Sequence, residues 1–93
     1  MARSSEQRTI RFFGRVQGVG FRYTACREAR GFAVFGYVRN LPDGSVECVA
    51  EGDKAEIDAF VAALHSRMED YIRRMTQQSA PCSGRFDAFD IRY

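Results

Sequence analysis

The stretch "AVFGYVRNLPDGSVECVAE" spans residues 33–51. Two runs rich in β-branched and aromatic residues flank Leu41-Pro42-Asp43-Gly44, which reads as a turn. Pro42 presets its own backbone angle and Gly44 supplies a positive φ. In the second run Val46, Cys48 and Ala50 alternate with Glu47, Val49 and Glu51, so one face is apolar and the other mixed. The stretch predicts an antiparallel hairpin.

Toward the N-terminus, "RYTACREAR" (residues 22–30) turns helical, with Ala25, Cys26 and Ala29 as a short apolar stripe. Gly31 stands where a residue that ends a helix would. "TIRFFGRV" (residues 9–16) predicts a first strand, with Ile10 and Phe12 on one face. Residues 1–7 are polar and are expected to be disordered, leaving 8–93 as a single domain.

Toward the C-terminus, Asp53 and Glu56 form the D-x-x-E start of a capping box. Ile57, Phe60, Val61, Leu64 and Met68 then recur at the spacing of one helix face. "DYIRRMTQQ" is a weaker strand, "APCSG" breaks it, and "RFDAFDIRY" predicts a last strand with Phe89 and Ile91 on one face. The order is β-α-β-β-α-β with one extra short strand. That is the ferredoxin-like α+β sandwich: an antiparallel sheet with two helices on one face, the other partly solvated.

Composition narrows the function. The net charge is +2, and Lys54 is the only lysine among 14 basic residues. Only Arg73-Arg74 are adjacent, so no polybasic run points to nucleic acid. No stretch is long and apolar enough to predict a membrane span, and no apolar run follows Met1 as a signal peptide would. Cys26, Cys48 and Cys82 are an odd set without C-x-x-C spacing. They predict reduced thiols in a cytoplasmic protein. "RGFAVFGY" (residues 30–37) nearly matches an aromatic signature of RNA-recognition motifs. It starts the second strand rather than the third, so Phe32, Phe35 and Tyr37 read as core or sheet aromatics.

A cysteine-based phosphatase would need an arginine in the loop after its nucleophile; Phe32, Lys54 and Ala88 stand there instead. His65 is the only histidine and no thiols are paired in sequence, so no zinc site is expected. The remaining candidate is "GRVQGVGFR" (residues 14–22), between strand and helix. Its glycines would let backbone N–H groups turn inward to form an anion nest. The helix N-terminus adds positive potential, and Arg22 adds a guanidinium fork. The spacing lacks G-x-x-x-x-G-K-S/T and is not a nucleotide P-loop. On glycine spacing alone, an oxyanion site and a tight turn with an exposed arginine stand level.

"GRVQGVGFR" followed by "GYVRNLPDGSVE" resembles the two signature segments of acylphosphatases, and the resemblance runs from about Ile10 to the final "FDIRY". It implies a ferredoxin-like fold and hydrolysis of the carboxyl–phosphate bond of acyl phosphates, with no metal or organic cofactor. It implies that the loop Arg15, Val16, Gln17, Gly18, Val19, Gly20 and Phe21 cradles phosphate, that Arg22 binds it, and that Asn40 orients the attacking water. The expected partners are a small acyl phosphate and inorganic phosphate, as product and competitor, with no nucleic acid and no membrane; the expected state is a monomer. One departure follows the second helix, where the family's Gly-Pro turn is replaced by "HSRMEDYIRR". A carboxylate leaving group, whose acid has a pKa of ~4, departs without a general acid. Phosphoryl transfer needs positioning and charge stabilisation above all. Three other readings stay open: a non-hydrolytic binder of acyl or carbamoyl phosphates, the N-terminal module of a hydrogenase-maturation carbamoyltransferase, and an RNA-binding module. A chain of this length is expected to be the free-standing enzyme.

Overall fold

The computed structural model of the protein describes residues 5–93. The elements are β1 (Ser5–Gly14), α1 (Phe21–Ala29), β2 (Phe35–Asn40), β3 (Val46–Asp53), α2 (Lys54–Met68), β4 (Ile72–Ala80) and β5 (Phe89–Arg92). One five-stranded sheet has the order β4-β1-β3-β2-β5. Both helices pack on one face of it. Ile10, Phe12, Val38, Val46, Cys48 and Ala50 point to that face and are buried. They meet Phe21, Ala25 and Ala29 from α1 and Ile57, Phe60, Val61, Leu64 and Met68 from α2. The periodicity of α2 is therefore the footprint of its core face. Fully burying a side chain of that size contributes about 1.5–3 kcal/mol. Phe60 also meets Phe32 and Phe89 edge-on, at 6.3 and 5.3 Å between ring centroids. It thereby fastens β5 to the core.

Four features differ from expectation. Residues 1–4 of the expected tail lie outside the described residues, but Ser5–Gln7 are not a tail. They extend β1, with Ser5 opposite Asp53 and Gln7 opposite Glu51. Main-chain pairing asks nothing of side-chain polarity, so a polar run can still be a strand. Second, the sheet is mixed rather than antiparallel, since β5 runs parallel to β2. Third, Asp53 precedes α2 without a side-chain cap bond. Its backbone is still extended in the ladder with β1, and Glu56 accepts instead from the Ala33 N–H at 2.8 Å. Fourth, α1 starts one residue earlier than read, at Phe21. The "HSRMEDYIRR" segment continues α2 through Met68, turns with the Tyr71 N–H donating to the Met68 carbonyl at 2.9 Å, and enters β4 at Ile72.

β4 and β5 lie at opposite edges, so residues 81–88 must cross the sheet. They cross the face without helices. Glu51 on β3, only 3% exposed, is the anchor. Its carboxylate accepts from the Ser83 and Gly84 N–H groups at 2.8 and 3.0 Å, from Gln7 Nε2 at 2.7 Å and from Cys82 Sγ at 3.3 Å. Phe86 in the same segment lies 5.9 Å from the Tyr37 ring.

Candidate active site

The sheet register brings the signature segments together. Val46 of β3 pairs with Phe12 of β1 on one side and with Asn40 of β2 on the other. Phe12, Val46 and Asn40 form one row across three strands. The loop leaving β1 and the end of β2 thus emerge at the same end of the sheet. Asn40 shares the helix-side face with Val38, two positions before it, because side chains alternate along a strand. It points toward the N-terminus of α1 rather than to the strap side, where Arg39 pairs with Glu47 at 2.8 Å.

The loop 15–20 is held at both ends. The Arg15 N–H donates to the Tyr71 carbonyl at 2.9 Å, and the Gly20 carbonyl accepts the first helical bond, from the Thr24 N–H, at 3.0 Å. Val16 is fully buried, and Phe21 packs on Phe12 at 4.9 Å between centroids. Gly18 and Gly20 have φ of 76° and 78°. That left-handed region is costly for a residue with a Cβ. An added Cβ at either would meet no heavy atom within 4 Å, so the glycines are required by backbone angle, not by close packing. Among the described residues, no protein acceptor takes the N–H groups of Gly18, Val19, Gly20 or Phe21.

Val16, Gly18, Gly20, Phe21, Arg22, Tyr23 and Asn40 line one small cleft of about 150 Å³. Arg22 is half-exposed, and among the described residues no carboxylate pairs with it. Its guanidinium instead lies 5.0 Å from the ring centroid of Tyr93. The cleft can therefore offer unspent amides, one free guanidinium and one carboxamide to an anion.

Three residues expected in the cradle line none of the cleft. Arg15 is exposed, Val19 packs against the core, and the Gln17 side chain turns away. Gln17 Nε2 donates to the carbonyls of Leu41 and Ser45, at 2.8 and 2.9 Å. It ties the loop to the turn that directly follows Asn40. That turn is closed by the Leu41 N–H to the Ser45 carbonyl at 2.9 Å, by the Gly44 N–H to the Leu41 carbonyl at 3.1 Å, and by Asp43 accepting from the Ser45 N–H at 2.9 Å. The Ser45 hydroxyl and N–H also hold the Asp43 carboxyl below the usual carboxylate range. Tyr23 and Tyr93 were not singled out by sequence. Tyr23 could have been found from its place directly after Arg22; nothing local marks Tyr93.

None of the three cysteines lines the cleft. Cys48 is fully buried, and burial, with Cys26 and Glu47 nearby, pushes its thiol up; burial raises that of Cys26 too. Among the described residues no cluster of three His, Cys, Asp or Glu is placed to hold a metal. A larger cavity of about 430 Å³ lies between α2 and β4, but its buried Arg8 already pairs with Asp58 and Glu6.

The comparisons agree with the geometry. The family model described as acylphosphatase matches residues 8–91. A curated acylphosphatase of Paenarthrobacter aurescens is 46% identical over 84 residues, covering 89% of each chain. One from Thermococcus kodakarensis is 55% identical over 56 residues, 60% of this chain and 62% of that one. The crystal structure of acylphosphatase from Bacillus subtilis superposes with a TM-score of 0.85 at 32% identity, covering 95% of this chain and 99% of that one. A family match over nearly the whole chain, together with the fold and the paired segments meeting at one cleft, shows that the chain belongs to the acylphosphatase family.

Proposed function

We propose that this protein hydrolyses the carboxyl–phosphate bond of acyl phosphates, with the phosphoryl group held by the free amides of the 15–21 loop, those of Gly18 to Phe21, and by Arg22, and the water oriented by Asn40. The observation that carries the reading is the convergence of Gly18, Gly20, Arg22 and Asn40 on one cleft. Free amides at Gly18 to Phe21 would each donate to a phosphoryl oxygen, in the manner of a nest at a helix start. Arg22 would add a forked, charge-assisted donor pair. The Asn40 carboxamide has both a donor and an acceptor, so it can fix a water by two contacts. The water oxygen attacks phosphorus in line, the bond from phosphorus to the acyl oxygen breaks, and its electron pair leaves on the carboxylate. The proton released from the water ends on phosphate or solvent. No general acid is required, because the leaving carboxylate is a weak base with a pKa of ~4 for its acid.

In this reading the enzyme acts as a cytoplasmic monomer on a small molecule, without metal or organic cofactor and without a nucleic-acid or membrane partner. No helix among the described residues is long and apolar enough to cross a membrane. The test compares Asn40→Ala with Arg22→Ala. Asn40→Ala is expected to lose turnover of acetyl phosphate by roughly 10³-fold or more while keeping phosphate affinity, since only water positioning is removed. Arg22→Ala should lose both, and Arg22→Lys should stay poor, because a point charge does not replace a fork. Turnover retained in a folded Asn40→Ala protein would remove the water-orienting role. In the unmodified protein, inorganic phosphate at a hundredfold over its Kd should stabilise the fold by about 2.7 kcal/mol.

A further inference from the structure

We propose that the groove between α1 and the C-terminal end of α2 is an acyl-group subsite, where Arg27 and Arg67 favour acyl phosphates bearing a distal negative charge. The inference rests on the reading of the neighbouring cleft as the phosphoryl site. The groove has a volume of about 240 Å³ and is lined by Tyr23, Thr24, Arg27, Glu28, Arg67 and Met68. Tyr23 also lines the cleft. Neither the cavity around Arg8 nor the one around Cys26 and Phe89 shares a residue with the cleft. A substrate seated at Arg22 that extends beyond the cleft therefore meets this groove first.

In-line attack sets the direction. The leaving oxygen lies opposite the attacking water, and Asn40 would hold that water on the β2 side. The acyl chain then leaves on the α1 side, across Tyr23, which is largely exposed and free to form a floor. Arg27 follows Tyr23 by one helical turn, about 6 Å along the axis at ~1.5 Å per residue. That rise matches the span of a short dicarboxylic acyl chain. Residues four apart share a helix face, so Arg27 stands directly above the Tyr23 floor.

The groove's charge is unbalanced. Two guanidiniums face a single carboxylate, Glu28, which lies 3.5 Å from Arg67. Among the described residues no acidic side chain pairs with Arg27. A distal carboxylate or phosphate on the substrate would complete the pairing. A neutral acyl chain of the same length would leave Arg27 to water and gain only contact with Tyr23 and Met68.

The experiment measures kcat/KM for acetyl, butyryl and succinyl phosphate at low ionic strength. Butyryl and succinyl phosphate match in length and differ in terminal charge. The expected result is a preference for succinyl over butyryl phosphate. Arg27→Gln and Arg67→Gln should each reduce that ratio roughly 2–5-fold, the size of one exposed ion pair. Glu28→Gln should raise it, since it frees Arg67, and added salt should shrink it. Acetyl phosphate turned over with equal rates for succinyl and butyryl phosphate would overturn the subsite and leave the cleft standing. So would a ratio unmoved by all three variants. Failure to turn over any of the three substrates would sink the cleft reading and the subsite with it.

Discussion

Gln17→Ala tests the structural link between the two halves of the proposed site. In the folded chain the side-chain amide bridges the loop to the β2–β3 turn through the carbonyls of Leu41 and Ser45. A net hydrogen bond is worth about 0.5–1.5 kcal/mol, with more lost when the acceptor is left bare. Neither acceptor is left bare, because Leu41 still receives the Gly44 N–H and Ser45 the Leu41 N–H. The lower half of the range, about 0.5–1 kcal/mol, applies to each of the two bonds, so the loss is about 1–2 kcal/mol. For a domain of this size that is roughly a 5–15 °C drop in Tm. The functional effect should be larger than the stability effect implies. Asn40 would no longer be held against the loop, and a misplacement of about 1 Å can cost ~10²-fold in rate. Phosphate affinity should change by less than about threefold, since the loop amides and Arg22 remain. The assay is calorimetric Tm, steady-state kcat on acetyl phosphate and phosphate Kd by titration, all on one preparation. An unchanged Tm with unchanged kcat would refute the bridge. A phosphate affinity that falls in step with kcat would place Gln17 in the cradle itself and refute its assignment as a positioning residue.

Gly20→Ala places a Cβ at φ 78° in open space, so its cost should be backbone strain of about 1–2 kcal/mol, visible as weaker phosphate binding as the loop relaxes. Gly14→Ala would set its Cβ against the Tyr71 carbonyl, so urea unfolding should show the greater destabilisation there and a smaller one for Gly20→Ala. Glu51 should give the fold an acid limit: burial pushes its carboxyl up, but hydrogen bonds from Ser83, Gln7 and Cys82 outweigh that and take its pKa from 4.5 to about 2. Because the folded value is depressed, the stabilisation of about 3 kcal/mol is complete above pH ~4.5 and is lost as pH falls toward ~2. Urea midpoints at pH 7 and pH 3 should therefore differ less in Glu51→Gln than in the unmodified protein, and an equal difference in the two proteins would exclude the anchor.

The parts of the fold legible in sequence are those where one face is buried and the other is not. Val46, Cys48 and Ala50, and then Ile57 through Met68, repeat at the strand and helix periods because a core lies against one side only. β4 gave a weak signal for the same reason. It is an edge strand in which only Ile72 and Met75 are even half-buried, so little alternation is imposed on it. The parallel entry of β5 was not legible at all. A four-residue strand carries no mark of direction, and its direction follows from a strap that crosses the sheet under Glu51. That anchor depends on a carboxylate meeting backbone N–H groups 32 and 33 residues away, which no local pattern encodes. The capping box failed because Asp53 was claimed first by the β1 ladder.

For the site, residue types were legible and orientation was not. Arg22 and Asn40 lie 18 positions apart, and what unites them is the row Phe12, Val46, Asn40 across three strands. A register slip of one residue in the hairpin would send Asn40 to the strap side with Arg39, since strand side chains alternate. The register is in turn set by the turn at Leu41–Ser45, where Gly44 has φ 91° and Asp43 closes on Ser45. Gln17 reads that same turn from the loop side, by bonding the carbonyls of its first and last residues. The turn sequence therefore does two jobs: it fixes which face Asn40 occupies, and it supplies the acceptors by which the loop is aligned to it. The glycines at 18 and 20 complete the arrangement from the other side, because their left-handed backbone leaves the loop amides without protein acceptors. A loop built of residues confined to negative φ could fill the same gap in the chain, but it would not follow this path with those amides free.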